Sequence, residues 1–185
     1  MKTIIFFLAM TLACNSTAQT NFGFGDGFII TKQGDTIRCQ VEMAVTYEDK
    51  IAYKKNKDDY PLHILTKDIH AMKTPYKYLQ NILIGKKELL MSLMVDGKAR
   101  LYSHVIINSG QPKAAPGGTM VLYQPLTVTY IVEKDKMYYE VKKKDFKTMM
   151  PKLLESCTSV TEKIATKKYH FEDIEKVIQE YNSCQ

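Results

Sequence analysis

Few residues of this chain have the types and spacing that chemistry needs: four cysteines, four histidines and a short glycine run near the start. His63, His70, His104 and His170 are the only imidazoles, and no two stand two or four apart, the spacing that sets paired metal ligands on one strand or helix face. Asp68 and His70 share a face if their segment is a strand, as two weak ligands without a nameable third. They are read as polar surface. Gly23, Gly25 and Gly27 lack the dinucleotide-fingerprint spacing, and a strand follows where an anion-binding loop needs a helix N-terminus. A flexible lead-in to the first strand is expected there.

Nucleophilic and acid–base chemistry find no better footing. No Gly-x-Ser-x-Gly elbow exists, and Cys39 falls on the apolar side of a strand. Asp58-Asp59 and Glu172-Asp173 are adjacent acids inside charged stretches, where solvation is the ordinary state. Lysines beside tyrosines recur in Tyr53-Lys54-Lys55, Tyr76-Lys77-Tyr78 and Lys167-Lys168-Tyr169. Phosphates, acidic glycans and nucleic acid are conceivable ligands of such a stripe. Tyrosine is an ordinary strand residue and lysine an ordinary guard of sheet edges, so no binding stripe is assigned. The sequence therefore assigns no catalytic, cofactor-binding or metal-binding residue.

The surrounding chain points to export. Lys2 precedes an apolar run, Ile4 to Ala13, of signal-peptide length and too short to span a bilayer. Ser16 and Ala18 put small residues where a signal peptidase requires them, so cleavage is expected after Ala18, with residues 1–18 the signal and 19–185 a single domain. Lipidation at Cys14 is the competing reading, weakened by Thr11 where a lipobox usually has leucine. Cleavage leaves 167 of the 185 residues, 25 basic against 20 acidic, a formal charge of +5 in place of +6. That length suits one domain with a real core. The mature chain has no stretch approaching twenty apolar residues and hence no expected transmembrane helix.

Strand periodicity dominates residues 27–141. Ile37, Cys39, Val41 and Met43 alternate with polar residues, and a turn at Gln33-Gly34 pairs Ile30 with Ile37 and Phe28 with Cys39. Short strands are expected at Lys50–Lys54, Pro61–Leu65, Ile69–Lys73 and Tyr76–Leu83. A central hairpin turns at Asp96-Gly97, where a three-residue turn sets Leu93 against Leu101 and Leu89 against Val105. A last hairpin pairs Val128, Tyr130 and Val132 with Val141, Tyr139 and Met137. Between these two hairpins, Asn108–Gly118 is read as an exposed loop.

Helical spacing takes over from about 145 to 183. Phe146, Met149, Met150, Leu153, Leu154 and Cys157 form one stripe, with a break or late start expected at Pro151. Ser159 and Glu162 spell a capping box. Phe171, Ile174, Ile178 and Tyr181 make an apolar face opposite Glu172, Asp173, Glu175, Lys176 and Glu180. With Cys14 removed, three cysteines reach an oxidising compartment and one must be odd. Cys157 ends one helix and Cys184 follows another, so a Cys157–Cys184 bridge would clasp the tail and leave Cys39 a buried thiol; the alternative is that these thiols never meet.

The run Gly27-Phe28-Ile29-Ile30 to Gly34-Asp35-Thr36-Ile37, a β-rich middle, Leu153-Leu154 to Cys157 and Tyr181-Asn182-Ser183-Cys184 together resemble a group of uncharacterised exported proteins common in Bacteroidota-type bacteria. The resemblance spans most of the mature chain and implies an envelope or secreted location without an activity. In that group glycine is usual where this chain has Cys39, which implies that Cys39 lies outside the disulfide. The expected architecture is α+β: antiparallel hairpins forming a curved sheet or partial barrel, followed by two or three C-terminal helices. The expected function is a non-catalytic binding or structural module of the periplasm, the outer-membrane surface or the secreted fraction. Its expected partner is an envelope protein, a glycan or a lipid-like ligand, reached through the sheet or the 108–118 loop, with no nucleic acid and no cofactor. A small periplasmic hydrolase or metal-dependent enzyme is the alternative, since a site assembled from distant loops leaves no local motif.

Overall fold

Period-two patterning up to Val141 becomes a ten-stranded antiparallel sheet with a separate short pair, and the 3.6-residue pattern from Phe146 on becomes helices laid on the large sheet. The computed structural model describes residues 23–44, 47, 49–107, 112–114, 120–122 and 126–184. The expected signal segment and Cys14 lie outside these. The strands are β1 (Phe24–Thr31), β2 (Thr36–Glu42), β3 (Lys50–Lys54), β4 (Leu62–Leu65), β5 (Ile69–Lys73), β6 (Tyr78–Ile84), β7 (Lys87–Val95), β8 (Ala99–Ile107), β9 (Pro112–Ala114), β10 (Met120–Leu122), β11 (Leu126–Lys134) and β12 (Met137–Val141). Ten of them lie in the order β12-β11-β8-β7-β6-β5-β1-β2-β3-β4, while β9 and β10 pair separately. The sheet is open, with β12 and β4 as its edges.

Turn chemistry moved each hairpin from its expected register. Thr31 N–H donates to Asp35 O and Gly34 N–H to Thr31 O, closing a three-residue turn in which Gly34 takes φ +95°. A glycine in the left-handed region is what such a turn needs. The pairs are therefore Ile29↔Ile37 and Gly27↔Cys39, one residue from the expected Ile30–Ile37 and Phe28–Cys39. Gly25 and Gly27 are not a flexible lead-in but part of β1, where a Cβ at Gly27 would stand 2.0 Å from Lys73 O of β5. In the central hairpin a register shift between Leu93 and Val95 gives Leu93↔Tyr102 and Val95↔Leu101, replacing Leu93–Leu101. The last hairpin keeps its faces but slides by two, to Tyr130↔Val141 and Val132↔Tyr139. Asp135 and Lys136 both adopt positive φ, 53° and 63°, as a two-residue type I′ turn demands. Pro112–Ala114 is a strand within the segment expected to be a loop.

The helices are α1 (Phe146–Leu153), α2 (Thr158–Ala165) and α3 (Ile174–Ser183), the last entered through a 3-10 turn, Phe171–Asp173. Pro151 does not break α1. The N–H it lacks would bond to the carbonyl of Lys147, an exposed residue, so that group can turn to water. The expected capping box at Ser159 is absent because α2 starts at Thr158, directly after its N-cap Cys157: Cys157 O accepts from both Val160 and Thr161, and Ser159 lies inside the helix. Cys157 and Cys184 are joined as a disulfide, with Cα atoms 6.0 Å apart. Cys39 is a buried free thiol, its pKa pushed up by burial.

Register and alternation sort the apolar side chains into two faces. On one, Leu101, Val132, Val141 and Ala99 pack against Phe146, Met150, Leu154, Val160, Ile174, Val177 and Ile178 of the helices. Further along the same face, Ile29, Cys39, Val41, Ile51, Met72, Leu79 and Leu90 form a second core with Tyr47 and Ile69. The opposite face buries Ile82, Met91, Tyr102 and Ile131. Among the described residues no helix is long and apolar enough to cross a membrane.

Candidate binding cleft

Between its two cores the sheet comes partly apart. β6 and β7 pair from Leu79↔Ser92 to Ile84↔Lys87, and β8 and β11 pair along their whole length, from Ala99↔Lys134 to Ile107↔Leu126. The β7–β8 ladder joining them consists only of Ser92↔Ser103, Leu93↔Tyr102 and Val95↔Leu101. Beyond Ser92 and Ser103 the strands separate, and the His104 ring replaces the ladder by placing Nδ1 3.3 Å from Leu90 O. The sheet is thus a seven-strand lobe, β7 to β4, hinged on a three-strand lobe, β8, β11 and β12, by a short ladder.

A cleft of about 240 Å³ opens at this split, between the helix-covered core and the second core. Leu79, Leu90, Met94 and Val105 supply apolar walls, Ser92 and Ser103 lie where the ladder ends, and Lys77, Tyr47 and His104 stand around them. Met94 is 42% exposed, which is unusual for a thioether between two cores. The exposed Val128 and Leu126 of β11 extend this apolar surface, since Val128 pairs with Val105. The hydroxyls of Ser92 and Ser103 and the ammonium of Lys77 make no hydrogen bond among the described residues, so each is available to a ligand.

A second hollow of about 330 Å³ adjoins the first, sharing Tyr47, Leu90 and His104 and adding Thr66, Glu88, Leu89 and Ile106. Next to it, Asn81 donates from Nδ2 to Thr66 O at 3.1 Å and to Ile69 O at 3.0 Å. Its Oδ1 is buried and accepts no hydrogen bond among the described residues. A buried acceptor without a donor costs about 1–3 kcal/mol, so this amide holds the Thr66 turn at an energetic disadvantage that an incoming donor would remove. Tyr47 Oη donates to Glu42 O at 2.8 Å and accepts from Ala44 N–H, which fixes its ring against the second core, and burial raises its pKa. The second hollow is near the lower end of the roughly 300–1,000 Å³ range of small-molecule sites, and the first, at about 240 Å³, is below it and suits only a small ligand.

The sequence-derived candidates stand elsewhere, apart from His104. His63, His70 and His170 are exposed, and Asp68 sits in the 3-10 turn Thr66–Asp68 rather than on a strand beside His70. Among the described residues no group of three or more His, Cys, Asp or Glu is arranged to hold a metal ion. The lysine–tyrosine runs fall on β3, on the β5–β6 turn and after α2, three separate elements, although Lys77 reaches the cleft. Of the expected binding loop, Pro112–Ala114 is in β9 and the other residues lie outside those described. The cleft itself had no sequence signal, because it arises where a ladder stops. No protein-family model matches the chain, and neither a curated protein nor a solved structure is significantly similar to it.

Proposed function

We propose that this protein is an exported, non-catalytic binding module that takes a small amphiphilic ligand, with a short apolar chain and a polar or anionic head, into the cleft at the β7–β8 split. The observation that carries this reading is Met94. A methionine side chain is left exposed between Leu90 and Val105, beside unengaged serine hydroxyls and a lysine, instead of completing either core. Thioethers adapt to irregular apolar partners, and the unpaired ends of β7 and β8 allow the walls to adjust. Lys77 supplies the charge for an anionic head and Ser92 and Ser103 the donors and acceptors for an ester or carboxyl group.

Export rests on the Lys2, Ile4–Ala13 and Ser16–Ala18 pattern, and the Cys157–Cys184 bridge suits an oxidising compartment. Purification from the native bacterium without detergent, followed by organic extraction and mass spectrometry, tests the function. An acyl-bearing species retained by the wild type and absent from Met94→Asp is the expected result. Extracts free of any such species would overturn the reading.

A further inference from the structure

On the face away from the cleft, side chains of β6, β7, β8 and the β7–β8 turn line a groove of about 350 Å³: Tyr78, Gln80, Leu93, Asp96, Arg100 and Tyr102. Tyr102 is fully buried and its hydroxyl donates its one proton to Glu133 Oε2 at 2.9 Å, with the Gln80 amide oxygen packed 3.3 Å from the same hydroxyl. Arg100 Nε donates to Asp96 Oδ1 at 2.7 Å, and its Nη1 lies 3.6 Å from Glu133 Oε2. Asp96 Oδ1 also accepts from Gly97 N–H at 3.0 Å. The functional ends of these side chains are therefore held in place by one another before any ligand arrives.

What the network leaves unused defines what it can bind. Gln80 Nε2, Arg100 Nη2 and Asp96 Oδ2 have no hydrogen-bond partner among the described residues, which gives donors from an amide and a guanidinium beside a carboxylate acceptor. Tyr78 and Leu93 add an aromatic and an aliphatic surface to the same groove. Adjacent hydroxyls that each donate and accept, on a ring with an apolar C–H face, satisfy this set, whereas a phosphate or carboxylate would meet Asp96 and Glu133 with only Arg100 to offset them.

We propose that this groove is a binding site for a neutral saccharide, independent of the amphiphile cleft on the other face. Gln80 and Arg100 donate to sugar hydroxyls, Asp96 accepts from one, and the ring rests against Tyr78 and Leu93. Tyr102 and Glu133 are positioning residues that hold Gln80 and Arg100.

Affinity electrophoresis of the mature protein in native gels containing neutral glucan, mannan, galactan or xylan tests the site, with titration calorimetry on an oligosaccharide of any polymer that retards it. We expect retardation by at least one polymer, a dissociation constant raised about tenfold or more in Gln80→Leu and in Tyr78→Ala, and no change in Met94→Asp, whose lesion lies in the other cleft. Near-ultraviolet circular dichroism establishes that each variant is folded, and Gln80→Asn serves as a milder second variant if Gln80→Leu is not. Migration unaffected by every neutral polymer would overturn the proposal, as would retardation that survives both groove substitutions.

Discussion

Asn182 of α3 holds both backbone groups of Ala99 at the start of β8: its Oδ1 accepts the Ala99 N–H at 2.8 Å and its Nδ2 donates to Ala99 O at 2.8 Å. The same Nδ2 lies 3.4 Å from Asp96 O, so one side chain, far away in sequence, completes the β7–β8 turn. This turn carries Asp96 of the saccharide groove and closes the ladder whose other end opens into the cleft. Asn182→Ala leaves the part-buried Ala99 groups unpaired and is expected to cost about 1–3 kcal/mol in urea unfolding. Asn182→Asp keeps the acceptor, loses the donor and should fall between.

The disulfide that follows Asn182 anchors the end of α3 to the start of α2. The bridge spans 27 residues of sequence, and constraining that loop in the unfolded chain contributes up to about 3–4 kcal/mol. The double variant Cys157→Ala/Cys184→Ala should lose stability by an amount up to that figure, and a reductant should lower the urea midpoint of the wild type but not of the variant. Equal midpoints for wild type and variant under oxidising conditions would contradict a stabilising clasp.

Stability should weaken at both ends of the pH scale for different reasons. Glu180 has a lowered pKa, first because Lys163 donates to it and then because Tyr169 does. A carboxylate with a folded pKa below its unfolded value contributes stability that is fully present above about pH 4.3 and is lost as pH falls through the folded value. Tyr102 is shifted up, by burial first and then by its hydrogen bond to Glu133, so its contribution is present below about pH 10 and is lost as pH rises further. Urea midpoints measured across the range should decline less steeply in acid for Glu180→Gln and less steeply in alkali for Tyr102→Phe than for the wild type.

At Gly27, β1 has no room for a side chain beside β5. Because an added Cβ would meet Lys73 O at 2.0 Å, a backbone atom that cannot swing aside, Gly27→Ala should force the two strands apart. The expected cost is roughly 2–4 kcal/mol by thermal or urea unfolding. Gly34→Ala, at φ +95° but in open space, should cost only about 1 kcal/mol from its left-handed backbone.

Alternation of Ile37, Cys39 and Val41 made β2 readable, and the helical stripe of Ile174, Ile178 and Tyr181 made α3 readable, because both patterns reflect burial of one face. The β1 face was misread since its core-side positions are Gly25, Gly27 and Ile29. Lys73 O against Gly27 and the Pro75 ring against Gly25 leave no room for a Cβ at two of these, so Phe28 and Ile30 stand out as the apolar pair on the other side. The β7–β8 register carries a shift between Leu93 and Val95 that no local pattern encodes, and β8 begins at Ala99 on a contact with the distant Asn182. The cleft was illegible for a similar reason: Met94 reads as one more strand residue until the register shift beside it and the early end of the ladder leave it exposed. Lys77 and His104 were visible as residues, but nothing near either in sequence links β6 to β8.

The amphiphile cleft is the central claim, and titration calorimetry of the mature protein with octanoate, a short acyl chain with a carboxylate head, tests it most directly. The account predicts saturable one-to-one binding that weakens about tenfold or more in Met94→Asp and to a smaller degree in Lys77→Gln, with the Tm of both variants close to that of the wild type. Heats that show no saturation, or an affinity unchanged by Met94→Asp, would contradict it.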